Sequence, residues 1–571
     1  MHVVTTRRHY KDRTYETHLL RRSYRAEGKV KNETLANLSH LPAETIEVIR
    51  RSLRGEAFVA AGAAFAITRS RPHGHVAAVA AMARRLGLPA LLGPACHERD
   101  LAFALIIARA CQPGSKLATV RWWADTTLAP DLGLDGVDTD AVYAAMDWLL
   151  ARQPAIEARL ADRHLEPGGL VLYDVSSSWL EGRRCPLAAH GYSRDGRRGK
   201  PQITYGLLTD AEGRPVAVNV FAGNTGDPTA FAETVATITD RFGLDRMVLV
   251  GDRGMITQAR IAALRERGGV DWITALRAPS IRKLVDDGAV QLSLFDETNL
   301  AEVTHPDYAD ERLMVCRNPA LAADRARKRA ELLAATDAEL DKISRAVTAG
   351  RLTDAGKIGV RVGRVLNRFK MGKHYRLDID DGRFAYRHDT ANIATEAALD
   401  GVYVIRTSVT AERLTGPGVV EAYKALSGVE RDFRSLKTVD LDIRPIHHRL
   451  EDRVRGHVLI CMLACYLTWH LRQAWAPLCF TDETPPSRTD PIAPARRSHA
   501  AQRKAPQQTT DDGAAAHSYQ TLIDHLATLT RNHVRYHDTD IELDQLAEPT
   551  PTQRRAFDLL QTPIPVHIKN T

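Results

Sequence analysis

The alternation of apolar and polar positions in the opening forty residues predicts three short strands. Val3–Thr6, Thr14–Leu20 and Lys29–Leu35 are rich in Thr, Val and Tyr, with Lys11-Asp12 and Glu27-Gly28 as the turns between them. From Val76 to about Arg163 the apolar spacing changes to three and four residues. It marks helices over Val76–Leu86, Leu101–Cys111, Leu117–Thr127 and Val142–Arg152, the last with Asp138-Thr139-Asp140 as its N-terminal cap. At Gly168-Gly169 the pattern changes again. Leu170–Val175 is a short apolar run that carries Asp174 near its end, and Met247–Gly251 is a second run followed by Asp252. Both read as buried strands.

Between those runs, Gln202–Thr209 and Pro215–Ala222 form a hairpin about Asp210-Ala211-Glu212-Gly213, and Thr229–Phe242 is an amphipathic helix. Helix Thr257–Arg267 and strand Asp271–Leu276 follow. Three strands, helix, strand, helix, strand is the element order of an RNase H-like α/β core with a mixed sheet. Residues 277–399 interrupt it with charged helices (Leu321–Val347, Ile358–Phe369) and a hairpin at Asp380-Asp381-Gly382. Strand Val402–Arg406, helix Val419–Lys437 and the very apolar helix Leu450–Trp475 complete the compact region. The expected organisation is a basic β-rich N-terminal unit (1–75), a helical domain (76–167), the core in two parts (168–276 and 400–478) around an insertion (277–399), and a disordered linker and tail (479–571). The tail is placed there because 481–516 is rich in Pro, Ala, Gln, Arg and Thr.

Asp174 and Asp252 both stand at strand ends, where ligand sites of such sheets fall. On the Val419–Lys437 helix, at ~100° per residue, Tyr423, Arg434 and Lys437 lie within about 40° of Glu430. Ala422, Leu426, Val429 and Phe433 form the adjoining apolar stripe, and Asp432 is expected to face solvent. Taken singly, a strand-end Asp is a common turn or cap residue and a Glu-Arg strip a common solvated face. Together, three acids in this fold order point to phosphodiester chemistry, in which two divalent ions about 3.5–4 Å apart activate the attacking oxygen and stabilise the leaving one. Mg²⁺ takes oxygen ligands and keeps several waters, so Asp174, Asp252 and Glu430 suffice as its ligands, with Mn²⁺ able to substitute.

The charge adds a polyanion to this picture. Of the net +8, residues 1–55 contribute +6 through twelve Lys/Arg against six Asp/Glu. Between the first two core strands, Arg183, Arg184, Arg194, Arg197, Arg198 and Lys200 place six cations within eighteen residues, in a loop that Gly191, Gly196 and Gly199 keep free to bend toward phosphates. Helix Val142–Arg152 is a candidate recognition helix of a helix-turn-helix unit. The seven cysteines contain no CxxC pair and read as buried free thiols. The apolar run Val458–Trp469 is too short to cross a bilayer and the chain opens on no signal-like segment, so a cytoplasmic, nucleoid-associated protein without membrane contact is expected.

The stretch Tyr423-Lys424-Ala425-Leu426-Ser427-Gly428-Val429-Glu430-Arg431-Asp432-Phe433-Arg434-Ser435-Leu436-Lys437 resembles the Tyr-x2-Arg-x3-Glu-x6-Lys motif of a large branch of DDE transposases of bacterial insertion sequences, with Leu426 where the motif has Arg. Tyr173-Asp174-Val175-Ser176-Ser177 and Gly251-Asp252-Arg253-Gly254-Met255 look like that family's two Asp motifs, and Gly223-Asn224-Thr225-Gly226 and His448–His457 like further segments of it. The resemblance implies cleavage and strand transfer at terminal inverted repeats and into target DNA by a homodimer or larger synaptic complex. It also implies that Tyr423, Arg434, Lys437, Arg194, Arg197, Arg198 and Lys200 contact DNA, and that a β-rich insertion carries a Trp that stacks on a flipped base. Between residues 273 and 468 this chain has no Trp. An RNase H-like nuclease or resolvase, or a domesticated DNA-binding protein without catalysis, are the alternative readings.

Overall fold

A computed structural model describes residues 1–570 except 12, 57, 59–64, 198, 292–294, 296–297, 488–489, 511–512 and 537–540. The chain divides into two compact units, Met1–Ser70 with Arg531–Leu546, and Arg71–Thr530 with Ala547–Thr571.

In the first unit, β1 (His2–Tyr10), β2 (Arg13–Ala26) and β3 (Lys29–Asn37) make an antiparallel sheet, and α1 (Ala43–Ser52) packs beside β1. The turns need left-handed backbone at Lys11, Glu27 and Gly28, which fits the predicted break points. A second sheet joins β4 (Phe65–Pro72) to strands from the far end of the chain, β15 (Thr530–Tyr536) and β16 (Glu542–Leu546).

The second unit opens with seven helices: α2 (Gly74–Arg85), α3 (Leu88–Leu92), α4 (His97–Cys111), α5 (Lys116–Asp125), α6 (Leu128–Leu132), α7 (Thr139–Ala151) and α8 (Gln153–His164). The cap at α7 is as expected, Asp138 accepting from the Ala141 amide at 2.9 Å. The role of α7 is not. It buries Val142, Ala145, Met146 and Leu149 against α4 and α16, and exposes Asp140 and Asp147, the wrong charge for a recognition helix.

The core follows as β5 (Leu170–Trp179), β6 (Gln202–Thr209), β7 (Pro215–Ala222), α9 (Asp227–Ala236), β8 (Met247–Val250), α10 (Gln258–Arg267), β9 (Val270–Ala275), α11 (Ala278–Asp286), β10 (Leu300–Val303), β11 (Arg312–Arg317), α12 (Pro319–Thr348), α13 (Ala355–Phe369), β12 (Tyr375–Asp380), β13 (Arg383–His388), α14 (Thr390–Ala398), β14 (Val402–Thr407), α15 (Gly416–Arg434) and α16 (Glu451–Ala474). One mixed sheet runs β10-β11-β14-β9-β8-β5-β6-β7, its β5–β8–β9 centre parallel and its flanks antiparallel. The interval expected as an insertion therefore contributes β10 and β11 to the core sheet, and only the segment from α12 to α14 leaves it. That excursion is mostly helical, with one hairpin, β12–β13. Helix α16, long and apolar enough by composition to span a bilayer, is instead the core's central helix, with 83% of its apolar window buried.

Strand β7 is a sheet edge, and side chains occupy its free backbone groups. Glu157 accepts from the Val218 amide (3.1 Å), Gln153 donates to the Val218 carbonyl (2.8 Å), and Arg455 donates to the Val220 carbonyl (2.8 Å). Glu157 is fully buried and bonded to Arg241 at 2.9 Å.

Within 481–516, read as disordered from its composition, the described residues include a helix, and the helical patches beyond Ser518 form two more. Helices α17 (His499–Gln507), α18 (Tyr519–Ala527) and α19 (Pro551–Leu559) follow α16. Leu522, Ile523, Leu526 and Phe557 are buried, the Trp475 indole donates to Ala556 O (3.0 Å), and the Tyr519 hydroxyl donates to Ala110 O (3.1 Å). A run of Pro, Ala and Gln misleads here because a few apolar residues at helical spacing suffice to dock a segment on a preformed core. Phe557→Ala should cost about 3–5 kcal/mol, read as a lower midpoint in chemical denaturation; an unchanged midpoint would return the tail to a solvated appendage.

Beneath α16 lies a buried cationic group. Lys116 Nζ is 3.4 Å from His457 Nδ1, His457 donates through Nε2 to Ile443 O (3.0 Å), and Arg109 donates to Leu441 O and Gly114 O. Burial, reinforced by Arg109, pulls the Lys116 ammonium down to about 7. Between that value and the unfolded one of about 10.4 the unfolded chain binds more protons, so stability rises with pH through this window. Lys116→Met is expected to stabilise at pH 7 by on the order of 2 kcal/mol and to flatten the pH 7–10 stability profile, as melting curves would report.

Candidate active site

The parallel pairing of β5 and β8 matches Leu170, Val171 and Leu172 to Val248, Leu249 and Val250, and there β8 ends. Asp174 stands two residues past Leu172 and Asp252 two past Val250, so the register carries both acids to one level of the sheet. Asp174 does not end its strand as expected. Strand β5 runs on to Trp179 with β6 alone as partner, Asp174 opposite Leu207. Asp252 opens a turn in which its backbone carbonyl accepts from the Met255 and Ile256 amides and its side chain from the Gly254 amide (3.3 Å).

Helix α15 supplies the third acid. Val419, Val420, Ala422, Val429 and Phe433 bury its apolar stripe, the helix packs on β5, and Glu430 projects exposed beside that stripe. The three carboxylates act on one another. Burial raises the Asp174 carboxyl to about 7; its own bond from the Val175 amide (2.7 Å) and Arg194 oppose the shift, and Asp252 and Glu430 add to it. Half-buried Tyr423 stands in the same field. Its hydroxyl is pushed up to about 12 by burial, then by Asp252, Glu430 and Asp174, against Arg253.

Asp432 goes the other way. It was expected to face solvent, but it is buried against the β6–β7 hairpin and α16, its Oδ2 without a hydrogen-bond partner, and burial raises its carboxyl to about 7. An ideal helical wheel had merged two apolar surfaces of α15, one on the sheet and one under α16.

The predicted basic contacts separate. The Arg194 guanidinium bonds Asp227 at 2.5 Å and its amide donates to Ser177 Oγ (3.1 Å), which holds it beside Asp174 as a counter-charge. Arg197 is exposed over the Trp179 ring (5.2 Å), Lys200 is exposed and paired with Glu181 (2.7 Å), and Arg434 is exposed. Arg198 lies outside the described residues. Lys437 is not on the Glu430 strip. Directly after α15 the backbone forms a wider π-turn over Ser435–Val439, which changes the angular step, and Lys437 turns inward to bond buried Asp195 at 2.8 Å. Arg444 bonds the same Asp195 oxygen, and its guanidinium lies 4.9 Å from the Trp179 ring.

Three participants went unrecognised in the sequence. Asp227 brings a fourth acid close to the site, since a Cβ added at Gly254 would stand 3.5 Å from Asp252 Oδ2 and 3.7 Å from Asp227 Oδ2. Its signal was its position directly after Gly223–Gly226. Asp195, the one acid inside the cationic run from Arg194 to Lys200, was a candidate for internal pairing on that ground. Arg253 follows Asp252 directly.

Among the described residues, one group of three ligand side chains has atoms all within 4.8 Å of one another, and it is Asp287, His305 and Asp307. That group needs no ion. His305 Nδ1 accepts the Asp307 amide (3.2 Å), Nε2 faces Asp287 (3.2 Å), and Lys283 bonds Asp307. The Asp174–Asp252–Glu430 triad is more widely spaced. This suits a pair of ions, because ligands 2.0–2.1 Å from either of two ions about 3.5–4 Å apart span more than the ligands of one. Its mutual repulsion and raised Asp174 are what a cation would relieve.

Residues 179–467 match the family model described as the transposase DDE domain, and residues 3–63 that of the IS1634 family transposase N-terminal domain. The first match contains Asp252 and Glu430 and begins five residues after Asp174. A cryo-EM structure of the piggyBac transposase synaptic complex with hairpin DNA is similar over 80% of this chain and 76% of that chain, at 8% identity and a TM-score of 0.35. No curated protein matches the chain.

Removing Asp195 strands Lys437 and Arg444, whose side chains are only 10% and 15% exposed. Asp195→Ala should therefore destabilise by about 3–5 kcal/mol, and Lys437→Met by much less because Arg444 keeps Asp195 paired. Equal losses in denaturant titrations would contradict the anchoring role.

Proposed function

The chain belongs to the transposase DDE domain family, and on that premise we propose that Asp174, Asp252 and Glu430 are the carboxylates with which it cuts and joins DNA. It is a transposase of the bacterial insertion-sequence kind, its N-terminal residues 3–63 matching the IS1634 transposases. The observation that carries the assignment is the shared register. Asp174 and Asp252 leave the paired end of β5 and β8 at one level, and Glu430 on α15 is close enough to raise Asp174.

The family uses divalent metal, and the three acids would hold Mg²⁺ or Mn²⁺. When bound, two such ions supply Lewis-acid activation of the attacking oxygen and stabilisation of the leaving 3′ oxygen. The chain's own part is to place and balance charge. Asp174, held in the sheet, must be ionised to serve, and Arg194 favours that form. In this reading Tyr423, its hydroxyl protonated near neutrality as any tyrosine's is, donates to a phosphate oxygen beside the triad. Arg197, Lys200 and Arg434 are exposed and supply backbone contacts that offset the repulsion between DNA and four acids. Lys437 contributes at one remove, by fixing Asp195 and with it the loop that carries Arg194. The DNA engaged would be the element's terminal inverted repeats and then the target. Joining two ends requires two triads, so a homodimer or larger synaptic complex is the working assembly.

The test is a set of single substitutions assayed for Mg²⁺-dependent nicking of supercoiled plasmid. Asp174→Asn, Asp252→Asn and Glu430→Gln should each lower the rate at least about 10³-fold, the scale of a lost transition-state interaction of ~4 kcal/mol, while duplex binding persists. Asp432→Asn should retain nicking. A nicking-competent Glu430→Gln beside an inactive Asp432→Asn would move the third ligand.

A further inference from the structure

The first three strands share out their charge unevenly between the two faces of their sheet. Side chains alternate along a strand and cross-strand partners share a face, so the register fixes both surfaces. One face carries both strand carboxylates, each neutralised, Glu16 by Arg7 (2.6 Å) and Glu33 by Arg22 (2.6 Å). Helix α1 packs beside β1 toward this face, where Arg50 donates to Thr5 Oγ1 (3.1 Å).

The opposite face holds Arg8, Arg13, Arg21 and Arg25 and no Asp or Glu. None of these arginines has an ion-pair partner among the described residues, and the Arg21 Nε is enclosed without a hydrogen-bond acceptor. Asn32, Thr34 and Asn37 stand on the same surface, exposed, as do Tyr10 and Tyr15 at its other end. A folded protein ordinarily scatters counter-charges among such cations, of which Arg8, Arg13 and Arg25 are exposed and Arg21 half-buried. Their exclusion here, across three strands of one face, calls for an external polyanion.

We propose that this arginine face binds duplex DNA by lying along the major groove. This deepens the transposase reading, on which it rests for the presence of DNA. β1 flanks the first part of β2 and β3 the second, overlapping near Leu19–Arg21, so strands about 4.8 Å apart make a face ~5–10 Å across, against a major groove ~12 Å wide. Arg13 and Arg25 are twelve residues apart on β2, on the order of 40 Å, a little more than one helical turn of DNA at ~34–36 Å. Guanidinium groups grip phosphates or the guanine edge in two-pronged fashion, and side-chain amides match adenine. The face thus has groups for both holding and reading.

Fluorescence anisotropy of the full-length protein with a labelled random-sequence 30-bp duplex, over a salt series, tests this. Arg8→Ala/Arg13→Ala/Arg25→Ala should weaken binding at least tenfold and lower the slope of log K against log salt by about 2–3, near 0.9 per lost phosphate contact, and Arg25→Ala alone by about 1. The opposite-face triple, Arg7→Ala/Arg22→Ala/Lys29→Ala, should stay within twofold of the parent. Equal losses in both triples, or none in either, would overturn the proposal, as would an unchanged slope in Arg25→Ala. An acidic protein as the natural occupant would give that null result with DNA. Asp174→Asn should bind the same duplex with parental affinity and salt slope while it loses nicking, so failure of the face and failure of the Asp174 assignment read out separately.

Discussion

Everything at the candidate site follows from where β8 stops. Four residues, Met247–Val250, pair in parallel with β5 and β9, and the chain then turns away at Gly251 while β5 continues with β6 as its one partner. The gap beside β5 beyond Leu172 is where Asp174 finds room, and the departing chain sets Asp252 at its rim. Closing the third side falls to α15, whose apolar stripe seals it against β5 while Glu430 stays outside the seal. The cost of this arrangement is electrostatic: burial raises the Asp174 carboxyl, and the nearby Asp252 and Glu430 charges add to the rise. Arg194, Arg253 and the surrounding loop offset the repulsion.

That loop is tied down from below. Asp195 sits under it with a side chain 1% exposed, joined to Lys437 just past α15 and to Arg444 farther along. A stretch with three glycines and six cations would wander by itself. Pinned at Asp195, it presents Arg194 inward and Arg197 outward. Lys437 thus couples the end of α15 to the loop's position, so a residue readable as a DNA contact serves as a tether.

The strands around Asp174 and Asp252 were legible because buried parallel strands are continuously apolar, and an acid interrupting such a run stands out. Glu430 was legible through the wheel of a regular helix. The same wheel failed at Asp432, because α15 is covered from two directions, and at Lys437, because the helix does not stay regular. Strands β10 and β11 escaped notice because they join the sheet from within a charged interval, and the pairing of β11 with β14, with β10 added outside β11, is a long-range fact that local pattern does not encode. Helix α17 was hidden by a composition that usually means disorder, and Asp227 by lying at a helix start rather than a strand end. The arginine face needed the register of three strands, since adjacent arginines such as Arg7 and Arg8 look equivalent in the sequence and point to opposite surfaces.

The guarded edge of the core sheet bears on how copies of this protein tolerate one another. Glu157, Gln153 and Arg455 occupy the backbone groups of β7 that a foreign strand would need. When several chains crowd onto one stretch of DNA, their local concentration rises far above that in free solution, and an open edge would then fuse them by strand exchange. With β7 plugged by side chains, that edge is closed to strand exchange between neighbouring copies.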